Sequence, residues 1–241
     1  MPITVSITDD QLDQALRGFL LAVCPAPFEA ILGQANRVPE PVEQDFAVYT
    51  PTGRSRLATN LDSFADCRFV ASISGPTMTV TELDYGTIVI GKQVFGSTVA
   101  AGTVVQGGPT GTGPWLYTVN PPQTVASRVM AAGTQDLEQQ TEVSVQIDVH
   151  GPNSADNAQR ISTLLRDGYG VQLFANSGFD VTPLHADDPK QIPFVNAAKQ
   201  YEDRYVIDVR IQVNPVVEVP QQFAETLTPT LLDVDVEYPP S

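Results

Sequence analysis

Tryptophan occurs once in this 241-residue chain, histidine twice, cysteine twice, and lysine and arginine together only 13 times against 28 acids. Each shortage excludes something. Cys24 and Cys67 form no Cys-x-x-Cys pair and no metal-type spacing, so they predict two reduced, buried thiols and not a disulfide framework. With a formal charge of −15, the chain lacks the clustered bases that neutralise phosphates, which excludes wrapping of DNA. An acidic wall beside passing DNA stays compatible, because like charge keeps the polymer from adhering. The longest apolar run, Phe19 to Val23, falls far short of the about 20 residues that a membrane span needs. No charged segment with a cleavage site precedes it, so the expectation is a soluble protein made in the cytoplasm, without a membrane partner.

The motifs of common chemistry are missing too. There is no nucleophile elbow, His-Glu-x-x-His, P-loop or dinucleotide fingerprint. Gly108, Gly111 and Gly113 match neither phosphate-binding pattern and precede no helical periodicity, so they predict an exposed turn. The chain is expected to be no enzyme and to need no cofactor or metal.

What is present is apolar material and punctuation. A 42% hydrophobic content with 17% charged residues is enough for a sizeable core and too much for disorder. Twenty prolines and seventeen glycines, scattered without period, argue for many short elements and against a long helical bundle. Thr8 followed by Gln11 has the form of a capping box, and Leu12, Ala15, Leu16, Phe19, Leu20 and Val23 then recur at helical spacing. The prediction is a helix over residues 8–24, stopped by Pro25 and Pro27, with Asp9, Asp10 and Asp13 favoured by the dipole at its start.

Phe46 to Thr50 reads as a short strand and Pro51-Thr-Gly53 as the turn after it. Val143 to Val149 and Tyr205 to Val213 alternate apolar with polar residues, the pattern of strands with one buried face. Gly151-Pro-Asn-Ser154 breaks the first of these and caps a second helix with the stripe Ala158, Ile161, Leu164 and Leu165. The body, residues 1–73 and 134–241, is expected to be α+β, a mostly antiparallel sheet with two principal helices.

Residues 74–133 differ sharply. They are rich in Gly, Thr and Val and carry two acids (Glu82, Asp84) and two bases (Lys92, Arg128), so the whole −15 lies in the body. Turn glycines at meander spacing predict an inserted small all-β domain, with Trp115 and Tyr117 in its core. A short linker would otherwise join the Asp66 to Ile73 and Thr141 to Val149 strands, which makes the insertion a hairpin tip.

Three constellations are candidates for chemistry. His150 stands near Asp148, and His185 near Asp187 and Asp188, as carboxylate-assisted histidines, although a lone His at a strand end is usually solvated or hydrogen-bonded. Asp233, Asp235 and Glu237 alternate with Leu232, Val234 and Val236, so a strand would line three carboxylates along one face. Without a looping backbone they make a poor cation cage and read as an acidic exposed face.

Ordered blocks along the body carry a resemblance. Gln34-Ala-Asn-Arg-Val-Pro-Glu-Pro41, Asp45-Phe-Ala-Val-Tyr-Thr-Pro51 and Arg56-Leu-Ala-Thr-Asn60 resemble the N-terminal half of bacteriophage neck or tail terminator proteins. The likeness continues in Val145-Gln-Ile-Asp-Val-His-Gly-Pro152, Ala155-Asp-Asn-Ala-Gln-Arg160, Pro183-Leu-His-Ala-Asp-Asp-Pro189 and Gln200-Tyr-Glu-Asp-Arg-Tyr205. Val99-Ala-Ala-Gly-Thr103, Tyr117-Thr-Val119 and Gln123-Thr-Val-Ala-Ser127 resemble a β-domain of phage tail and fibre proteins, by which the chain departs from shorter family members.

The resemblance implies a structural virion protein at the head–tail junction, present in the host cytoplasm before assembly. It implies a self-assembled ring, commonly a hexamer, whose partners are the tail tube protein and the head-tail connector or collar proteins, with phage DNA passing through the lumen unbound. Asn36, Arg37, Asp187 and Asp188 are then expected at structural turns or subunit interfaces, and Asp233, Asp235 and Glu237 on the channel wall or an interface. Other readings are a collar or adaptor ring component of the same junction, or a soluble ligand-binding protein.

Overall fold

The computed structural model describes residues 5–33, 41–195, 199, 201–221 and 223. In chain order its elements begin with α1 (Asp9–Val23), β1 (Glu29–Leu32), β2 (Phe46–Arg56), β3 (Leu61–Tyr85), β4 (Val94–Phe95), β5 (Val104–Thr110), β6 (Trp115–Glu138) and β7 (Thr141–His150). There follow α2 (Ser154–Leu165), α3 (Gly168–Ala175), β8 (Val181–Ala186), β9 (Lys190–Gln191), β10 (Phe194–Val195), β11 (Tyr201–Glu202), β12 (Arg204–Val213) and β13 (Val216–Pro220). The fold is α+β with predominantly antiparallel sheets. It divides into two compact units: one takes Ser63–Gln135 and the chain from Val219, the other the chain up to Asp62 and Asp136–Glu218.

The larger unit is a sheet in the order β1-β2-β7-β12-β8, with β9 also on β12. β1 runs parallel to β2, and β7 is antiparallel to both β2 and β12. α1 starts as its sequence dictates: Thr8 Oγ1 accepts from the Gln11 N–H while Gln11 Oε1 accepts from the Thr8 N–H at 2.8 Å. Its apolar stripe, Leu12 to Val23, packs with Ala158 and Ile161 of α2 and Phe174 of α3 against the alternating residues of β7 and β12. Phe19 stacks on Phe174 with ring centroids 5.2 Å apart. Tyr49, buried under α1, donates its hydroxyl to Asp13, and burial followed by that hydrogen bond pushes the phenol pKa upward.

Three local expectations change. Pro51-Thr-Gly53 is not a turn; β2 continues through it to Arg56, absorbing the irregularity as a register shift opposite β7. α3 is a third helix, unannounced because two of its eight residues are glycine. It holds because the Asp167 side chain accepts from the Tyr169 N–H (2.9 Å) and because Gly170 lies where a Cβ would come within 2.3 Å of the Leu164 carbonyl. The cap of α2 falls within Gly151 to Ser154 as expected, at Asn153, but makes no side-chain bond to the helix; its N–H and side-chain amide are instead both held by Asp45, at 2.9 and 2.8 Å. The strand that meets β7 across the hairpin is β2 and not Asp66 to Ile73, which falls in the other unit.

The smaller unit is all β, in the order β13-β6-β3 with β4 and β5 also on β6. β3 turns back on itself at Gly75, which has φ +61, so that Thr81 Oγ1 donates to the Val70 carbonyl at 3.2 Å and Arg68 meets Asp84 at 3.4 Å. Its core is Phe69, Ile73, Met78, Val105, Val119 and Met130, with Tyr117 at the edge. Trp115 does not join it: it is 37% exposed, two residues before Tyr117 and beside the Gly111–Pro114 loop that closes the β5–β6 hairpin. That loop leads into β6.

Candidate functional site

Pairing puts one set of side chains of β2, β7 and β12 on the face away from the helices. Phe46, His150 and Arg204 share a register position, as do Val48, Asp148 and Val206, then Thr50, Gln146 and Asp208. Directly paired residues of adjacent strands share a face, so this face gathers the sheet's polar side chains around Phe46, Val48 and Val206, where the opposite one is apolar throughout. Arg204 Nε donates to Asp148 Oδ1 at 3.0 Å, Gln146 Nε2 to Asp148 Oδ2 at 3.1 Å, and Arg210 Nη1 to Glu142 Oε1 at 2.6 Å. Charges here are matched in pairs, and Asp208 stands exposed.

The end of this face carries an arm. β10 and β11 pair antiparallel, with Phe194 opposite Glu202 and Val195 opposite Tyr201. Glu202 Oε1 lies 3.0 Å from His150 Nδ1, and the His150 ring is stacked on Phe46 (4.7 Å between centroids, 2° between planes) and meets Phe194 edge-on at 5.4 Å. The Arg204 guanidinium lies 5.8 Å from the Phe194 ring centre. A buried imidazole clamped between two rings and one carboxylate is an anchor; among the described residues no hydroxyl or thiol hydrogen-bonds to it.

Of the residues singled out from the sequence, Asp187 and Asp188 lie just after β8. The Asp187 N–H donates to the Asp208 carbonyl (2.8 Å), its carbonyl accepts from Ser162 Oγ (3.2 Å), and the Asp188 carboxylate meets Arg166 at 3.2 Å. These bonds tie the end of α2 to the sheet edge. His185 meets Asp187 at 3.3 Å on an exposed surface, whereas Asp148 serves Arg204 and not His150. Asn36, Arg37, Asp233, Asp235 and Glu237 lie outside the described residues. Glu202 was not singled out from the sequence; the block Gln200 to Tyr205 contained it, but its partner depends on where a two-stranded arm folds back.

Cys24 and Cys67 are free and buried. Burial, opposed by Arg160 and reinforced by Asp45, pushes the Cys24 thiol up to about 12, and burial raises Cys67 as well. Among the described residues no three His, Cys, Asp or Glu side chains are grouped to hold a metal ion, and no helix is long and apolar enough to cross a membrane.

No curated protein matches the chain. A family model described as phage neck terminator protein matches residues 88–235, from inside the smaller unit through the arm and β12. That is more than half of the chain, and it includes the polar sheet face from Glu142 onward, the His150 anchor and both Asp187 and Asp188. The chain belongs to the phage neck terminator family, structural proteins of the bacteriophage particle.

Proposed function

We propose that the chain is the subunit of a closed ring, commonly of six copies, that caps the tail tube and joins it to the head connector. It performs no chemistry. It accumulates in the host cytoplasm before assembly, contacts itself, the tail tube protein and connector or collar proteins, and lets DNA pass through the lumen without binding it. The observation that carries the reading is the neck terminator match over residues 88–235. The net charge supports it: −15 per chain is the sign that keeps a wall from adhering to DNA. A cryo-electron-microscopy map of the particle neck tests it. The expected density is a ring of this chain between tube and connector; a chain found elsewhere in the particle, or as a two-fold dimer, overturns it.

A further inference from the structure

The arm has one face that holds the body and one that, among the described residues, is left exposed. Side chains alternate between faces along a strand, and Phe194 with Glu202 is committed to His150. Their neighbours Val195 and Tyr201, opposite one another in the register, are therefore turned outward, 52% and 86% exposed. Ile192, two residues before Phe194, is exposed too. A clamp of this quality holding Val195 and Tyr201 away from the body is the construction of a contact knob, with the tyrosine as the kind of side chain that anchors interfaces.

Its charge is unusual for this chain. Two of the three lysines, Lys190 and Lys199, fall within Pro189 to Tyr201, which contains no acid. Both are exposed, and among the described residues neither is held in an ion pair.

The same unit carries a surface of opposite character. A groove of about 340 Å³ between α1 and α3 is floored by Ala15, Phe19 and Leu173, with Gln14 and Asn176 at its rim. That lies at the small end of ligand pockets, a size for side chains and not for a large molecule. Gly18 leaves it open: a Cβ there would meet nothing within 4 Å. Asp10, Gln14 and Gly18 succeed one another at intervals of four along one face of α1. Asp10 therefore stands one turn before Gln14 on the same ridge, exposed and without an ion pair among the described residues.

The geometry points to a contact between copies: the Val195–Tyr201 face of one subunit's arm seats in the α1–α3 groove of the next, with Lys199 or Lys190 facing Asp10. The inference rests on the ring reading above and specifies its interface. Closed rings are built from heterologous contacts, in which a patch meets a different patch on the next copy. A basic apolar knob and an apolar groove with Asp10 one helical turn beyond its Gln14 rim, both on one subunit, meet that requirement; the apolar side chains supply the burial and the charges fix orientation.

Mixed disulfide formation tests it on the full-length chain. One preparation carries Gly18→Cys and another Tyr201→Cys; both positions are open, and buried Cys24 and Cys67 do not compete. Oxidation of the mixture is expected to link one chain of each kind, well above what either preparation gives alone. In parallel, Gly18→Phe fills the groove and is expected to keep the melting temperature while weakening association at least about tenfold in native mass spectrometry. Rings that persist at full affinity in Gly18→Phe and yield no mixed disulfide overturn the contact and leave the ring reading standing. A mixed disulfide in chains that never close into a ring keeps the contact and removes the ring.

Discussion

His150 Nδ1 and Glu202 Oε1 meet at 3.0 Å across 52 residues of sequence, and this bond locks the β10–β11 arm to the end of β7. The imidazole also contributes two aromatic contacts, to Phe46 and Phe194. His150→Ala removes all three and is expected to cost about 2 kcal/mol or more. Glu202→Gln keeps the rings and one hydrogen bond, so its loss should be smaller. Urea unfolding measures both, and limited trypsin digestion reads the arm directly: cleavage after Lys190 and Lys199 should accelerate in His150→Ala before global unfolding does.

Cys24 makes stability fall in alkali. Burial raises its thiol from 9.0 to about 12, so the folded state holds a proton that the unfolded chain releases at lower pH. A raised folded value contributes its full stability below the unfolded pKa and loses it as pH climbs towards the folded one, about 1.4 kcal/mol per unit. The Tyr49 phenol, shifted in the same direction, adds to the loss in the upper part of that range. Circular dichroism between pH 8 and pH 12 should show base-induced unfolding, displaced upward in Cys24→Ala. At pH 8 neither thiol should react with an alkylating reagent until the chain is denatured.

Much of the larger unit was legible because its signals are local. Thr8 and Gln11 announced the start of α1, and the alternation in Val143 to Val149 and Tyr205 to Val213 assigned inner and outer faces that the register of β7 and β12 bears out. What escaped depends on distant partners. Pro51 and Gly53 signal a turn in isolation, yet β7 carries β2 past them. The glycines of α3 hid a helix whose reason is the close approach at Leu164. Trp115, the chain's one tryptophan, suggested a core position that Phe69, Met78 and Met130 fill instead. The resembling blocks from Val145 to Tyr205 lie inside the matched range, while those between Gln34 and Asn60 precede it. Of residues 74–133, the part from Ile88 onward also lies inside it.

Removing the smaller unit should leave the larger one folded. β2 and β7 are hydrogen-bonded neighbours down to Arg56 opposite Thr141, and the Leu57 N–H donates to the Gln140 carbonyl at 3.0 Å. The chain thus departs and returns at adjacent positions, where a short Gly/Ser linker closes the hairpin at little entropic cost. A variant with residues 58–139 replaced by such a linker, and ending before Val219, is expected to unfold in one cooperative transition. A broad, non-cooperative melt would show that the larger unit depends on the smaller.

The acidity itself makes the last prediction. With −15 per chain, six copies would bring roughly −90 to one ring, beside DNA that carries a charge every ~1.7 Å. Screening confines that field to within about 8 Å at physiological salt, so only carboxylates on the lumen wall act on the duplex. Asp233, Asp235 and Glu237 alternate with apolar residues and are the candidates for that wall. Changing all three to Lys replaces repulsion with attraction towards phosphate, and each new contact would have to break as the genome moves. Particles with complete tails should then eject DNA more slowly at low salt, and the delay should shrink as salt rises, because counterions displace such contacts. Ejection kinetics from purified particles measure this, once a neck map has located the three positions. Normal ejection at low salt with the lysines on the lumen would remove the electrostatic role and leave the ring as a mechanical joint.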